Sequence, residues 1–130
     1  MKILMASLLA ALAVPAVAES LAGVWSIGEA RNCESGPAWV LFADGHYAEL
    51  KLPAGPISSV GIWKDEQTAL AYTHAHLPFA GLEGAGNIRR MTIGIRTASR
   101  LDLMSTNGRA RTFHRCPADS LKAPVGTGAH

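Results

Sequence analysis

Ala16-Val17-Ala18-Glu19-Ser20-Leu21-Ala22-Gly23-Val24-Trp25 places two signals side by side. The first three residues end a hydrophobic run at a small-x-small site, and the last three open a short strand on a tryptophan. Upstream, Lys2 supplies a positive start, Ile3 to Val14 is almost wholly apolar, and Pro15 breaks the helix. This is the layout of a secretory signal, residues 1–18, cut after Ala18. A membrane anchor, the competing reading, needs about 20 apolar residues, and Pro15 and Glu19 interrupt the run before that length. Leu21-Ala22-Gly23 could start a lipoprotein box, but Val24 stands where the lipidated cysteine would be. The expected product is a periplasmic or secreted monomer with no stable membrane anchor.

Residues 19–130 then suffice for one domain with a modest core, trailing into a flexible tail from about residue 117. Cys33 and Cys116 are the only cysteines. In an oxidising compartment such a pair reads as one disulfide, the alternative being two buried thiols.

Glycine and proline divide the mature chain into short β-type segments. Gly23 to Glu29 is the first, followed by a loop from Arg31 to Pro37. Ala38 to Ala43 and His46 to Leu52 flank Asp44-Gly45, a hairpin pair whose central residues are both expected at positive φ. Val60 to Lys64 and Thr68 to Leu77 enclose the turn Asp65-Glu66-Gln67. Ile88 to Ala98, Leu101 to Ser105 and Ala110 to Arg115 follow the Gly-rich loop Pro78 to Asn87. Alternation supports these assignments: Met91, Ile93 and Ile95 share one face, with Arg90, Thr92 and Arg96 on the other. No mature segment keeps a helical period. Eight sequential antiparallel strands are the number at which a sheet closes into a small up-and-down barrel, which removes its exposed edges. The expected fold is therefore an all-β, antiparallel up-and-down β-barrel; a two-sheet sandwich is the alternative.

Three stretches carry a family resemblance: Gly23-Val24-Trp25, Phe42-Ala43-Asp44-Gly45-His46-Tyr47, and Gly61-Ile62-Trp63, together with an arginine on the last strand. With these the chain resembles the calycins, the lipocalin-like and avidin-like barrels, and more narrowly their short bacterial exported members, some of which inhibit proteases. The resemblance implies that Trp25 closes the barrel base under a late arginine, Arg115 or alternatively Arg111. Trp63 is structural on the same ground. One feature departs from a strict barrel: Cys33 follows strand one at the rim opposite Cys116. Either a strand is misplaced, or the loop after Glu29 folds back, or the segment around Cys116 leaves the barrel.

Candidate chemistry is sparse. Tyr72, His74 and His76 alternate and so project from one face; His74 and His76 form a weak metal-ligand pair to which His46 or His114 could add a third nitrogen. Gly81 to Gly86 is glycine-rich but precedes a strand, whereas a phosphate loop opens a helix. There is no Gly-x-Ser-x-Gly or His-Glu-x-x-His motif and no spare cysteine, so no catalytic residue and no cofactor are expected. Charge is uneven: residues 19–87 carry three basic side chains against eight acidic, and residues 88–130 carry eight against two. Neighbouring halves of one fold can compensate such a difference, and the near-balanced total argues against a nucleic-acid binder.

Two functions follow. One is a non-enzymatic, lipocalin-like binding protein for a small apolar or amphipathic ligand, using Trp39, Tyr47, Tyr72 and Met91 in the lumen and Phe79 and Leu82 on the long loop. The other is a protein-directed inhibitor or interaction module of the same fold. An open lumen favours the first and a filled one the second.

Overall fold

The computed structural model describes residues 20–77 and 86–122. The expected signal segment, the loop residues Phe79 and Leu82, and residues 123–130 lie outside the described residues. The described residues form nine strands: β1 (Gly23–Ile27), β2 (Gly36–Leu41), β3 (His46–Leu52), β4 (Ile57–Asp65), β5 (Ala69–Tyr72), β6 (Ala75–His76), β7 (Arg89–Arg96), β8 (Arg100–Met104) and β9 (Ala110–Arg115). All pairings are antiparallel, successive strands pair except around β6, where β4 takes both β5 and β6 and β5 pairs with β7, and β9 pairs with β1, so the sheet closes on itself. β5 and β6 share one place along β4, which makes an eight-stranded barrel.

The expected single strand from Thr68 to Leu77 is thus interrupted, and the cause is local. Register continues across the gap, from Trp63↔Tyr72 to Val60↔Ala75. Between them the Ile62 amide donates to the Thr73 hydroxyl (3.0 Å) instead of to a main-chain carbonyl. The β2–β3 turn also differs from expectation. Gly45 takes φ +96° while Asp44 is not at positive φ, and the Phe42 amide donates to the His46 carbonyl. The connection is therefore the three-residue form, Ala43-Asp44-Gly45, in which one residue alone must be left-handed.

Alternation fails at Gly94. Ile93 faces Leu103 and Ile95 faces Asp102, so Gly94 is the extra residue of a β-bulge. A one-residue insertion flips every side chain beyond it. Ile95 consequently faces solvent, and Arg96 turns inward to a two-pronged pair with Asp65 (2.6 and 3.0 Å). The expected common face of Met91, Ile93 and Ile95 holds only for the first two, which belong to or pack on the inner core.

Inside the barrel, Leu21, Trp25, Trp39, Leu41, Tyr47, Leu70, Met91, Leu101, Leu103 and Phe113 form one buried cluster. A second lies on the outer face of β1–β3, where Val24, Ala38, Val40, Leu50 and Leu52 pack against Cys33, Cys116 and Leu121. This outer core accounts for the disulfide. β1 ends at Ile27, two residues earlier than expected, and the chain folds back down the outside of the barrel as a 3-10 turn (Ala30–Cys33). Ser26 Oγ donates to the Glu29 carbonyl, and Asn32 Nδ2 to that of Ile27, pinning the loop there. Cys116 meets it beside Val24, and Cys33–Cys116 closes with Cα atoms 5.5 Å apart. Residues 117–122, expected to begin a free tail, are docked: Leu121 packs on the outer core and the Lys122 amide donates to the Pro53 carbonyl.

Candidate functional site

Up-and-down topology puts the β1–β2, β3–β4 and β8–β9 connections, with the end of β6 and the start of β7, at one end, the mouth. The chain enters and leaves at the other, the base. The base is sealed. The Arg115 guanidinium carbon sits 4.4 Å from the centroid of the Trp25 ring, and that ring is almost fully buried. Arg115 also donates to the carbonyls of Ala98, Ala22 and Ser20, while the Trp25 indole donates to that of Leu21. The guanidinium therefore ties three chain segments over the tryptophan, which a single ammonium could not do. Trp63, half-buried, packs against the inner core and donates its indole N–H to the Phe42 carbonyl (2.8 Å), linking β4 to the β2–β3 turn.

Towards the mouth the inward face changes character. Inward positions recur every second residue, so Phe113 is followed by Arg111, Met91 by Arg89, Tyr47 by Glu49, and Tyr72 by His74 and then His76. Below this level the lumen is filled. Trp39 lies 4.8 Å from Phe113, 5.1 Å from Tyr47 and 5.3 Å from Tyr72, centroid to centroid. Above it opens a cavity of about 350 Å³. Trp39, Tyr72 and Met91 form its apolar part, Glu49, His74 and His76 one polar side, and Arg89, Arg109 and Arg111 the other, with Ser105 and Asn107 at the β8–β9 turn.

A hydrogen-bonded chain organises the polar side. The Trp39 indole donates to Glu49 Oε1 (3.0 Å), and the Tyr47 hydroxyl lies 3.4 Å from the same oxygen and 3.1 Å from His74 Nδ1. His76 stacks edge-on against His74 at 4.6 Å, its Nδ1 3.4 Å from Ser59 Oγ. Burial, then the charges of His76 and Arg89, hold the His74 imidazole below its ordinary pKa, with Glu49 opposing. Burial, then the Glu49 carboxylate, pushes the Tyr47 phenol far above its usual range, so it stays a neutral hydrogen-bonding group.

Of the residues expected to meet a ligand, the fold gathers Trp39, Tyr47 and Tyr72 into one aromatic layer, with Trp39 and Tyr72 reaching the cavity. Phe79 and Leu82 lie outside the described residues. The two histidines share the cavity, but the proposed third nitrogens are elsewhere. His46 pairs with Asp44 beside the β2–β3 turn, at the base end, and His114 bonds the Gly28 carbonyl. Among the described residues no group of three or more His, Cys, Asp or Glu is placed to hold a metal ion. Glu49, Arg89, Arg109 and Arg111 were not foreseen as cavity residues. The signal for the three arginines was the basic excess after residue 87: Arg90, Arg96 and Arg100 pair with Glu66, Asp65 and Asp102, which accounts for only part of it.

No family model matches the chain, and no curated protein matches it. The class rests on architecture: a closed eight-stranded antiparallel barrel with a disulfide, consistent with a calycin-like barrel. Among the described residues no helix is long and apolar enough to cross a membrane.

Proposed function

We propose that this is an exported, non-enzymatic binding barrel that takes a small amphipathic molecule at its mouth. The carrying observation is the cavity of about 350 Å³ with Trp39, Tyr72 and Met91 exposed to it beneath a polar rim. Ligand pockets begin near ~300 Å³ and combine apolar walls with a few convergent polar groups. The filled aromatic layer below sets the depth, so a ligand sits in the mouth rather than threading the lumen. Export is supported by the leader pattern and by a disulfide suited to an oxidising compartment. The test is titration of the mature protein with the neutral fluorophore N-phenyl-1-naphthylamine, together with native mass spectrometry of protein recovered from the cells that make it. Saturable fluorescence enhancement that is lost on Met91→Trp, which fills the cavity, supports the reading. Binding unchanged in that variant moves the site elsewhere.

A protein-directed role, as in the inhibitor barrels, is the second reading. It is favoured by the filled lower lumen and by an apolar groove of about 540 Å³ on the outer face of β3–β4, where Phe42 and Ile57 are exposed. Phe42→Ser with Ile57→Ser would then abolish inhibition of a target protease while leaving fluorophore binding intact.

A further inference from the structure

Three arginines reach the mouth cavity from separate parts of the sheet: Arg89 from the start of β7, Arg109 from the β8–β9 turn, and Arg111 from β9. A guanidinium brings a positive charge and a fixed fork of N–H donors. Among the described residues, arginine salt bridges are made by Arg31, Arg90, Arg96 and Arg100, and none is made by these three. Glu49 is the single carboxylate among the cavity's described residues, and its Oε1 is already engaged by the Trp39 indole and the Tyr47 hydroxyl. With three guanidinium groups against one carboxylate, positive charge predominates, and a concave surface focuses that field into the cavity. Directly below the arginines, Trp39, Tyr72 and Met91 offer an apolar floor.

From this juxtaposition we infer that the mouth is built for an anionic amphiphile, its carboxylate or phosphate head held by Arg89, Arg109 and Arg111 and its apolar body laid against Trp39 and Tyr72. The inference rests on the binding function proposed above and adds the charge of the ligand to it. Guanidinium groups present forked donors that match carboxylate and phosphate oxygens, and such charge-assisted bonds are about twice as strong as neutral ones. His74 and His76 line the same cavity, His74 following Tyr72, which pairs with Arg89, and their ring N–H groups can add further donors to the head group.

Calorimetric titration of the mature protein with octanoate, octyl phosphate and octanamide tests this, because the three share a chain and differ in the head. At least one anion should bind about tenfold or more tighter than the amide, the margin that a hydrogen bond to a charged group supplies. That margin should shrink at high salt. The double variant Arg89→Gln/Arg111→Gln should lose it while still binding N-phenyl-1-naphthylamine, which shows that the fold and the apolar floor persist. The stronger of the two anions identifies the head group. Octanamide bound as tightly as both anions, with the arginine variant silent, overturns the inference but leaves the cavity as a binding site. Failure of all three together with the neutral fluorophore overturns both.

Discussion

At Gly23 a Cβ would lie 2.5 Å from Arg115 Nη1, and the backbone stands at φ +146°. The glycine before the first strand's tryptophan is therefore a space left for the guanidinium that covers it. Trp25→Ala should cost about 3–5 kcal/mol, as loss of a buried indole usually does. Arg115→Lys should cost about 1–3 kcal/mol, because one ammonium cannot replace three carbonyl bonds and a stacked plane. Urea midpoints at constant slope will measure both; unchanged midpoints would remove these residues from the barrel's base. His74 supplies a second prediction. Its pKa is lowered from the ordinary 6.5 on folding, chiefly by burial. The unfolded chain therefore binds more protons near and below that pH, and stability rises with pH there. The contribution is whole above 6.5 and is lost as pH falls towards the depressed native value. Melting temperature should thus drop on acidification in this window, and His74→Gln should flatten the drop. Asp65, lowered by Arg96, acts in the more acidic carboxylate range and will not obscure it.

Elements were legible where strand periodicity and turn chemistry agreed. The bounds of β9 coincide with the expected segment, and β3 does too. Errors fell where one residue changed the count. In Thr92-Ile93-Gly94-Ile95-Arg96 the interior glycine is the usual mark of a bulge, but alternation alone passes over it, since whether a residue is left out of register depends on how β8 lines up across from it. Gly61 is a comparable case on β4. A Cβ there would lie 2.1 Å from the Thr73 carbonyl oxygen, in the stretch where the β5–β6 strand departs from regular main-chain pairing. Gly61→Ala should force that strand outward and destabilise by about 1–3 kcal/mol, the usual penalty for overpacking. The displacement should also reach His74 at the cavity. Thermal melts combined with fluorophore titration will show whether stability and binding move together; a neutral substitution would mean that the two strands are free to part.

For the whole molecule, the disulfide joins positions 83 apart and closes the outer core over β1–β3. Chain entropy alone assigns a loop of that size about 4.5 kcal/mol. The double variant Cys33→Ser/Cys116→Ser should lose about 2–5 kcal/mol, and the unreduced parent should weigh two hydrogens less than the reduced form. Thiol labelling of denatured, unreduced protein should find none free. Pairing was foreseeable from the count of cysteines and the signal-like pattern of the first residues, although their place on opposite rims looked inconsistent with it. A loop folding down the outside of a barrel leaves no periodic trace; local bonds from Ser26 and Asn32 shape it, and the outer core of Val24, Ala38, Val40, Leu50 and Leu52 on which Cys33 packs exists only once β1–β3 have paired. The same division holds throughout. By itself the sequence determined what is local: alternating strands, turns at glycine and proline, a tryptophan-led first strand, and hence an antiparallel all-β fold of barrel or sandwich type; the pairing of β9 with β1 decided for the barrel. Only the tertiary structure decided which half of the lumen is filled, which face Arg96 takes, and that Arg89, Arg109 and Arg111 meet at one mouth. Charges from different strands converge through barrel closure and register, and those are set by long-range pairing rather than by any one segment.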